Sequence, residues 1–182
     1  LREQHARLDA APHEGATLRP LEGTHLLRAQ VPRAIRAGDP LGSHASRPHL
    51  PSGIDPFQEL SIVDVGDMEL TPGYMETSVA EIRNGITRIA EQGTVPIVLG
   101  GDHTITFPNA GAVADVHGHG EVALVHFDAH ADTGETHYGQ LLGHATPMRR
   151  LIESGAVPGH RFVQIGLRGY WPPPEIVEWM RE

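Results

Sequence analysis

Apolar and polar positions follow only a weak period over residues 1–56, a stretch rich in Pro, Gly, Arg and His, and the pattern tightens from Leu60 onward. "LSIVDVGD" (60–67) is a short apolar run closed by Gly and Asp, which predicts a strand. "ETSVAEIRNGITRIAEQG" sets Val79, Ile82, Ile86 and Ile89 at helical spacing, and "VPIVLGGDH" (95–103) is a second apolar run, so this stretch is expected to read strand, helix, strand. The alternation repeats with a helix through "FPNAGAVADVHG", the strand "EVALVHFD", a loop, the helix "TPMRRLIESG", the strand "RFVQIGLRG" and a last helix opened by "PPPEIVEWM". Successive βα units with strands apolar on both sides predict an α/β fold, a parallel sheet covered by helices on both faces. In the amino-terminal stretch, "GSHASRPHLPSGIDP" (42–56) reads as loop, with a short helix expected at "VPRAIRAG". The expected division is a loop-rich segment over 1–58 and an α/β part over 59–182, together one domain.

Composition narrows the function classes. The 182 residues are 39% hydrophobic and 20% charged, ordinary values for a globular domain, and nothing approaches the roughly 18 uninterrupted apolar residues of a membrane span. Without such a span no membrane is expected as a partner, and the net charge of -9 argues against a surface that tracks the phosphates of nucleic acid while being compatible with a small cationic substrate. The absence of cysteine removes disulfides, thiolate zinc sites and cysteine nucleophiles, and leaves cytoplasm as the default compartment. The opening "LREQHARLDAAPHEG" lacks the apolar stretch of a signal peptide.

Chemistry concentrates in "HFDAHADTGE" (126–135), where Asp128, His130 and Asp132 alternate with alanines. On a helix His130 would point away from the two aspartates, whereas in an extended segment all three face one side, so the motif belongs at a strand end. A straight strand would spread Asp128 and Asp132 about 13 Å apart at roughly 3.3 Å per residue. The chain must therefore curl after Asp128 for these side chains to converge. His103, after Gly100 and Gly101 at the end of the preceding apolar run, supplies a fourth donor. Carboxylates and imidazoles without thiolate suit Mn²⁺, Fe²⁺, Co²⁺, Ni²⁺ or Zn²⁺. Two carboxylates able to bridge favour a metal pair about 3.5–4 Å apart, an arrangement that makes a nucleophile from water at neutral pH; a single metal is the simpler alternative.

"VLGGDHTIT", "HFDAHADT", "GHATPMRRLIESG" and "QIGLRG", in that order, resemble the ureohydrolase (arginase/agmatinase) family, and the likeness runs from about Leu60 to Glu182. The resemblance implies a three-layer α/β/α fold, a dinuclear manganese centre, hydrolysis of a guanidino group to urea and an amine, and a trimeric or hexameric homo-oligomer. It makes His103 a ligand of one metal, Asp128 a bridge, His130 a ligand of the second metal and Asp132 a further ligand of the first. His144, in "GHATP", takes the place of the family's proton-handling histidine, a task suited to a group titrating near neutrality.

The chain departs from the family pattern at both ends. The Ser-x-Asp-x-Asp segment that brings two more carboxylates is not found before Glu182, so the chain is expected to be a carboxyl-terminally truncated piece of a longer protein. "AAPHEG" stands where the family opens with Gly-x-Pro, although "VPRAIR" resembles the usual pattern. Gly134 occupies the position of an Asn that helps the arginase branch hold the amino-acid end of arginine, which points to agmatine as substrate, with putrescine as product and a place in polyamine metabolism. Guanidinobutyrase, guanidinopropionase, guanidinase and arginase activities are the alternatives within the family. Outside it stand a metal deacylase of related fold and an inactive pseudoenzyme.

Four further features read as structural. His126 is expected to be a packed histidine outside the site, "HGHG" (117–120) a solvated turn, Asp102 a cap of the loop, and Arg149 and Arg150 a solvated helix face. "WPPPE" reads as a helix start through proline in the first turn.

Overall fold

The structure, a computed structural model, describes residues 48–182. The helix expected at "VPRAIRAG" and most of the loop-rich segment lie outside the described residues. The chain divides between Met68 and Glu69 into two compact units.

Of the first unit, residues 48–68 carry a turn and one short helix, α1 (Pro56–Glu59). The turn is closed by the His49 amide on the Ile54 carbonyl at 2.8 Å, with Gly53 at φ 67, where a side chain would be strained. The strand expected over 60–67 does not form: no residue of that run enters a ladder. An apolar run specifies burial, but a strand also needs a partner edge.

The second unit begins with α2 (Met75–Ala90), where the predicted stripe holds: Ile82 and Ile86 are buried, Val79 and Ile89 half-buried. Its entry is pinned by Thr71, whose amide and hydroxyl both donate to the Glu81 carboxylate at 2.8 and 2.6 Å. Gly93 at φ 69 ends the helix in the left-handed conformation that glycine adopts without penalty. The second expected strand, over 95–103, is also absent. Val95 and Ile97 are more than four-fifths exposed, and the run is followed by a 3-10 turn (His103–Ile105) that leads directly into α3 (Thr106–His117).

Among the described residues two strands form, β1 (Leu124–Phe127) and β2 (Phe162–Ile165), paired in parallel with Leu124 opposite Phe162 and His126 opposite Gln164. Between them α4 (Pro147–Glu153) completes the βα crossover. Alternation splits the sheet. Leu124, His126, Phe162 and Gln164 turn to the covered face, while Val125, Phe127, Val163 and Ile165 are exposed on the other. The core lies on the covered side, where Ala114 of α3 meets Met148 and Leu151 of α4, with Ala156 and Val157 beyond, against Leu124 and Phe162. Among the described residues no helix is long and apolar enough to cross a membrane.

The last helix, α5 (Pro174–Trp179), starts at the expected prolines. Its Trp179 ring lies under the Arg149 guanidinium at 4.4 Å, which corrects the expectation of a solvated arginine face. Arg149 and Arg150 keep only 13% and 11% side-chain exposure, and both pair with Glu153 at 2.8 and 2.7 Å. A planar guanidinium covers an aromatic ring while its edge stays hydrogen-bonded, and sequence spacing does not reveal that partner.

α2 and α3 are fastened by Arg83, which reaches both oxygens of Asp115 at 2.6 Å. Gly111 makes room: a Cβ there would come within 2.8 Å of Arg83 Nη1. The hydrogen bonds from Arg83, assisted by His119, hold the Asp115 carboxyl down at about 2. A depressed carboxylate contributes stability above its unfolded pKa of about 4, and the contribution disappears as pH falls through the folded value. Asp115→Asn is therefore expected to lower unfolding free energy at neutral pH by about 1 kcal/mol, a modest value because the pair is partly exposed. The gap to the unsubstituted chain should shrink between about pH 4 and pH 2 in denaturant titrations; an equal gap at both ends of that range would contradict the assignment.

Candidate metal centre

The end of β1 is where the chain stops behaving as a strand. The Asp128 amide still bonds the Ile165 carbonyl at 3.1 Å, and the Ala129 carbonyl accepts from the Arg168 amide at 2.9 Å, so the sheet carries the chain to residue 129. The backbone then bends, and Asp132 takes φ 51, a left-handed conformation that aspartate tolerates better than most side chains. Its carbonyl is held by the Met148 amide at the start of α4, at 3.2 Å. This is the curl that the spacing of the motif requires.

The curl brings Asp132 back against His103, whose Nδ1 hydrogen-bonds Asp132 Oδ2. His103 arrives from the other side at the head of the 3-10 turn before α3. That turn is capped by Asp102, whose Oδ1 accepts from the Thr104 amide at 3.0 Å and the Thr104 hydroxyl at 2.5 Å, the structural role expected of it. Ligand atoms of His103, His126, Asp128 and Asp132 all lie within 4.8 Å of one another. Three of the four donors expected from sequence are therefore brought together, and His126, which sequence reasoning set aside as packing, stands among them.

His126 is both packed and at the site: only 7% exposed, its ring 5.1 Å from that of His103 and 6.3 Å from that of Phe162. A signal for it was present in the sequence. His126 precedes Asp128 by two residues, so it shares the parity of Asp128, His130 and Asp132 and faces the same way from a strand.

The other two expected residues sit at the rim. His130 is 65% exposed, and its Nδ1 lies 3.4 Å from Asp128 Oδ1. It abuts the carboxylate expected to bridge but is outside the group of four. His144 is 57% exposed with its Nδ1 3.7 Å from Asp102 Oδ2, and its ring meets that of His137 edge-on at 4.2 Å. Its loop is anchored by buried Thr146 and by the Gly134 amide on the Ala145 carbonyl at 2.9 Å.

Electrostatics follow these contacts. The hydrogen bond that His103 donates to Asp132 raises its imidazole above the ordinary range against the effect of burial. Burial pushes His126 down, and the charge of His103 adds to it. The His130 amide, donating to Asp128 Oδ1 at 2.8 Å, leads the lowering of the Asp128 carboxyl. Two carboxylates this close are costly unless positive charge lies between or beside them. Imidazole and carboxylate oxygens in that cluster form a donor set that fits a divalent first-row metal.

The Arginase family model matches residues 28–182. The mitochondrial agmatinase of Gallus gallus is 40% identical over 150 residues, 81% of this chain and 43% of that protein. The guanidinobutyrase of Pseudomonas aeruginosa is 38% identical over 152 residues, 83% of this chain and 46% of that protein. Among solved structures, Trypanosoma cruzi formiminoglutamase with Mn²⁺ superimposes with a TM-score of 0.69 at 26% identity, covering 82% of this chain and 48% of that one. The chain spans less than half the length of each. The match over most of its residues, the α/β fold with a parallel sheet, and the His and Asp cluster around the end of β1 agree, and the chain belongs to the arginase family.

Proposed function

We propose that this chain supplies metal-binding and proton-transfer residues for hydrolysis of a guanidino compound to urea and an amine. The observation that carries the reading is the convergence of His103, Asp128 and Asp132 donor atoms at the carboxyl end of β1, the edge where open α/β sheets place their ligands. His103, Asp128 and Asp132 would hold one Mn²⁺, the metal named with the T. cruzi relative. A second ion would have His130 and a share of Asp128 from this chain. When bound, the ions supply the acidity that turns water into a nucleophile at neutral pH, which a resonance-stabilised guanidinium carbon demands.

The remaining tasks fall to the chain's own groups. Asp128 is oriented by the His130 amide. His144, more than half exposed on the loop before α4, would meet a bound substrate and protonate the departing amine, a role its exposure supports. Gly134 speaks to the substrate's tail. A Cβ at this position would lie 2.9 Å from the Ala145 carbonyl, so the Asn expected of an arginine-specific site has no room here. A guanidine without an α-carboxylate fits, and we take agmatine first. A guanidino acid is the second reading, supported by Arg168, which lines the shallow pocket at Asp128 and could take a distal carboxylate. A homo-oligomer remains part of the proposal. So does the cytoplasm, beside the mitochondrion named for the chicken relative.

Isothermal titration of the 182-residue chain with Mn²⁺ is expected to find one tight site, abolished by His103→Ala, with urea release from agmatine at or near background. No binding, or binding indifferent to His103, would remove the metal reading. In any preparation that does release urea, chelation should stop it, and His144→Ala should lower turnover about 100-fold or more while leaving Mn²⁺ content unchanged. A fall in metal content with His144→Ala would move that residue into the coordination shell.

Gly134→Asn is expected to destabilise the fold by about 1–3 kcal/mol without conferring arginine hydrolysis, because the side chain must displace the backbone that carries His144. Thermal melts and an arginine assay check this together; a stable variant that gains arginase activity would show that the loop yields.

A further inference from the structure

His126 lies among the metal donors, yet its hydrogen bonds determine which of its nitrogens can act. The residue opposite it on β2 is Gln164, and Gln164 Nε2 makes two contacts, 2.6 Å to the Ala131 carbonyl and 3.0 Å to His126 Nδ1. The Ala131 carbonyl can only accept, so the atom facing it must be the amide nitrogen and not the amide oxygen. That nitrogen has a second hydrogen, and it points at His126 Nδ1. A protonated Nδ1 would set donor against donor, so Nδ1 accepts and the imidazole proton of the neutral ring sits on Nε2.

Nε2 is buried, has no hydrogen bond of good geometry, and lies 3.3 Å from Asp128 Oδ2. A nitrogen bearing a proton cannot coordinate a metal, but it can donate to the carboxylate that does. We propose that Gln164 fixes His126 as an Nε2–H donor that orients Asp128, making His126 a positioning residue and not a metal ligand. The amide also ties β2 to Ala131, inside the curl between Asp128 and Asp132, so one side chain holds both the histidine and the loop on which the carboxylates sit. The inference rests on the metal reading only for its consequence, since the tautomer is a property of the metal-free chain.

Long-range ¹H–¹⁵N correlation of the histidine ring nitrogens, on the metal-free 182-residue chain with the ring neutral, is expected to report protonated Nε2 and bare Nδ1 for His126. Gln164→Glu, which offers an acceptor in the same place, should reverse the assignment. A bare Nε2 in the unsubstituted chain would overturn the proposal outright. In Mn²⁺ titrations His126→Gln, whose amide can still donate toward Asp128, should keep affinity within about threefold, while His126→Phe should lose about 10–100-fold. Equal losses in the two variants, with circular dichroism unchanged, would make His126 a ligand and also overturn it. Should the unsubstituted chain bind no Mn²⁺, the metal reading fails by itself and the tautomer decides this proposal alone.

Discussion

Everything at the carboxyl end of β1 depends on bringing two carboxylates from one short segment, Asp128 and Asp132, into the same small volume. Like charges at that distance repel, and an extended backbone would hold them about 13 Å apart. The chain meets the geometric half of the problem by leaving the sheet after Ala129 and passing through a left-handed residue at Asp132. It meets the electrostatic half with His103, which reaches Asp132 from the far side and is more basic for doing so. The contact thereby sets a more basic imidazole beside the carboxylates and ties two of the donors together.

That arrangement is steadied from beneath by packing. Met148 is almost fully buried in the core shared by α3 and α4, and its amide is also the hydrogen-bond partner of the Asp132 carbonyl. Thr146 and Pro147, equally buried, fix the start of the same helix, so the motif loop is tied to a rigid helix end on one side and to the β2 edge through Gln164 on the other. Apolar burial on one face of the sheet is in this way converted into position at its edge. The opposite face, with Phe127 75% exposed, contributes no such support among the described residues.

Much of this was legible because the governing signals are local. Helical spacing located α2 to within three residues of its ends, and strict alternation placed Asp128 at a strand end with a curl to follow. The runs at 60–67 and 95–103 misled because hydrophobicity reports a tendency to be buried, whereas a strand exists only where another edge accepts its hydrogen bonds. Arg149 and Arg150 misled for a related reason: charge suggests solvent, but Trp179 and Glu153, supplied from elsewhere in the fold and from the next helical turn, give both a partner. His126 was set aside because a lone histidine in an apolar run is usually packed. It is packed, and being packed beside Gln164 is what aims it at Asp128, so the structural and the functional reading were never exclusive.

The histidines around the centre sort by burial in a way that separates holding from handling. His126 is sealed in and His103 half-buried against Asp132, so both have their orientations imposed by neighbours. His130 and His144 keep 65% and 57% of their side-chain surface, and their rings lie 3.4 Å from Asp128 and 3.7 Å from Asp102, the residue before His103. A group that must stay put gains from burial, since fixed neighbours remove its alternatives. One that must meet a metal, a substrate nitrogen or a proton arriving from solvent needs an open side. The aspartates join the two sets, with the fixed histidines behind them and the accessible ones in front. Chemistry at this edge would accordingly run outward from an immobile interior to a reachable rim.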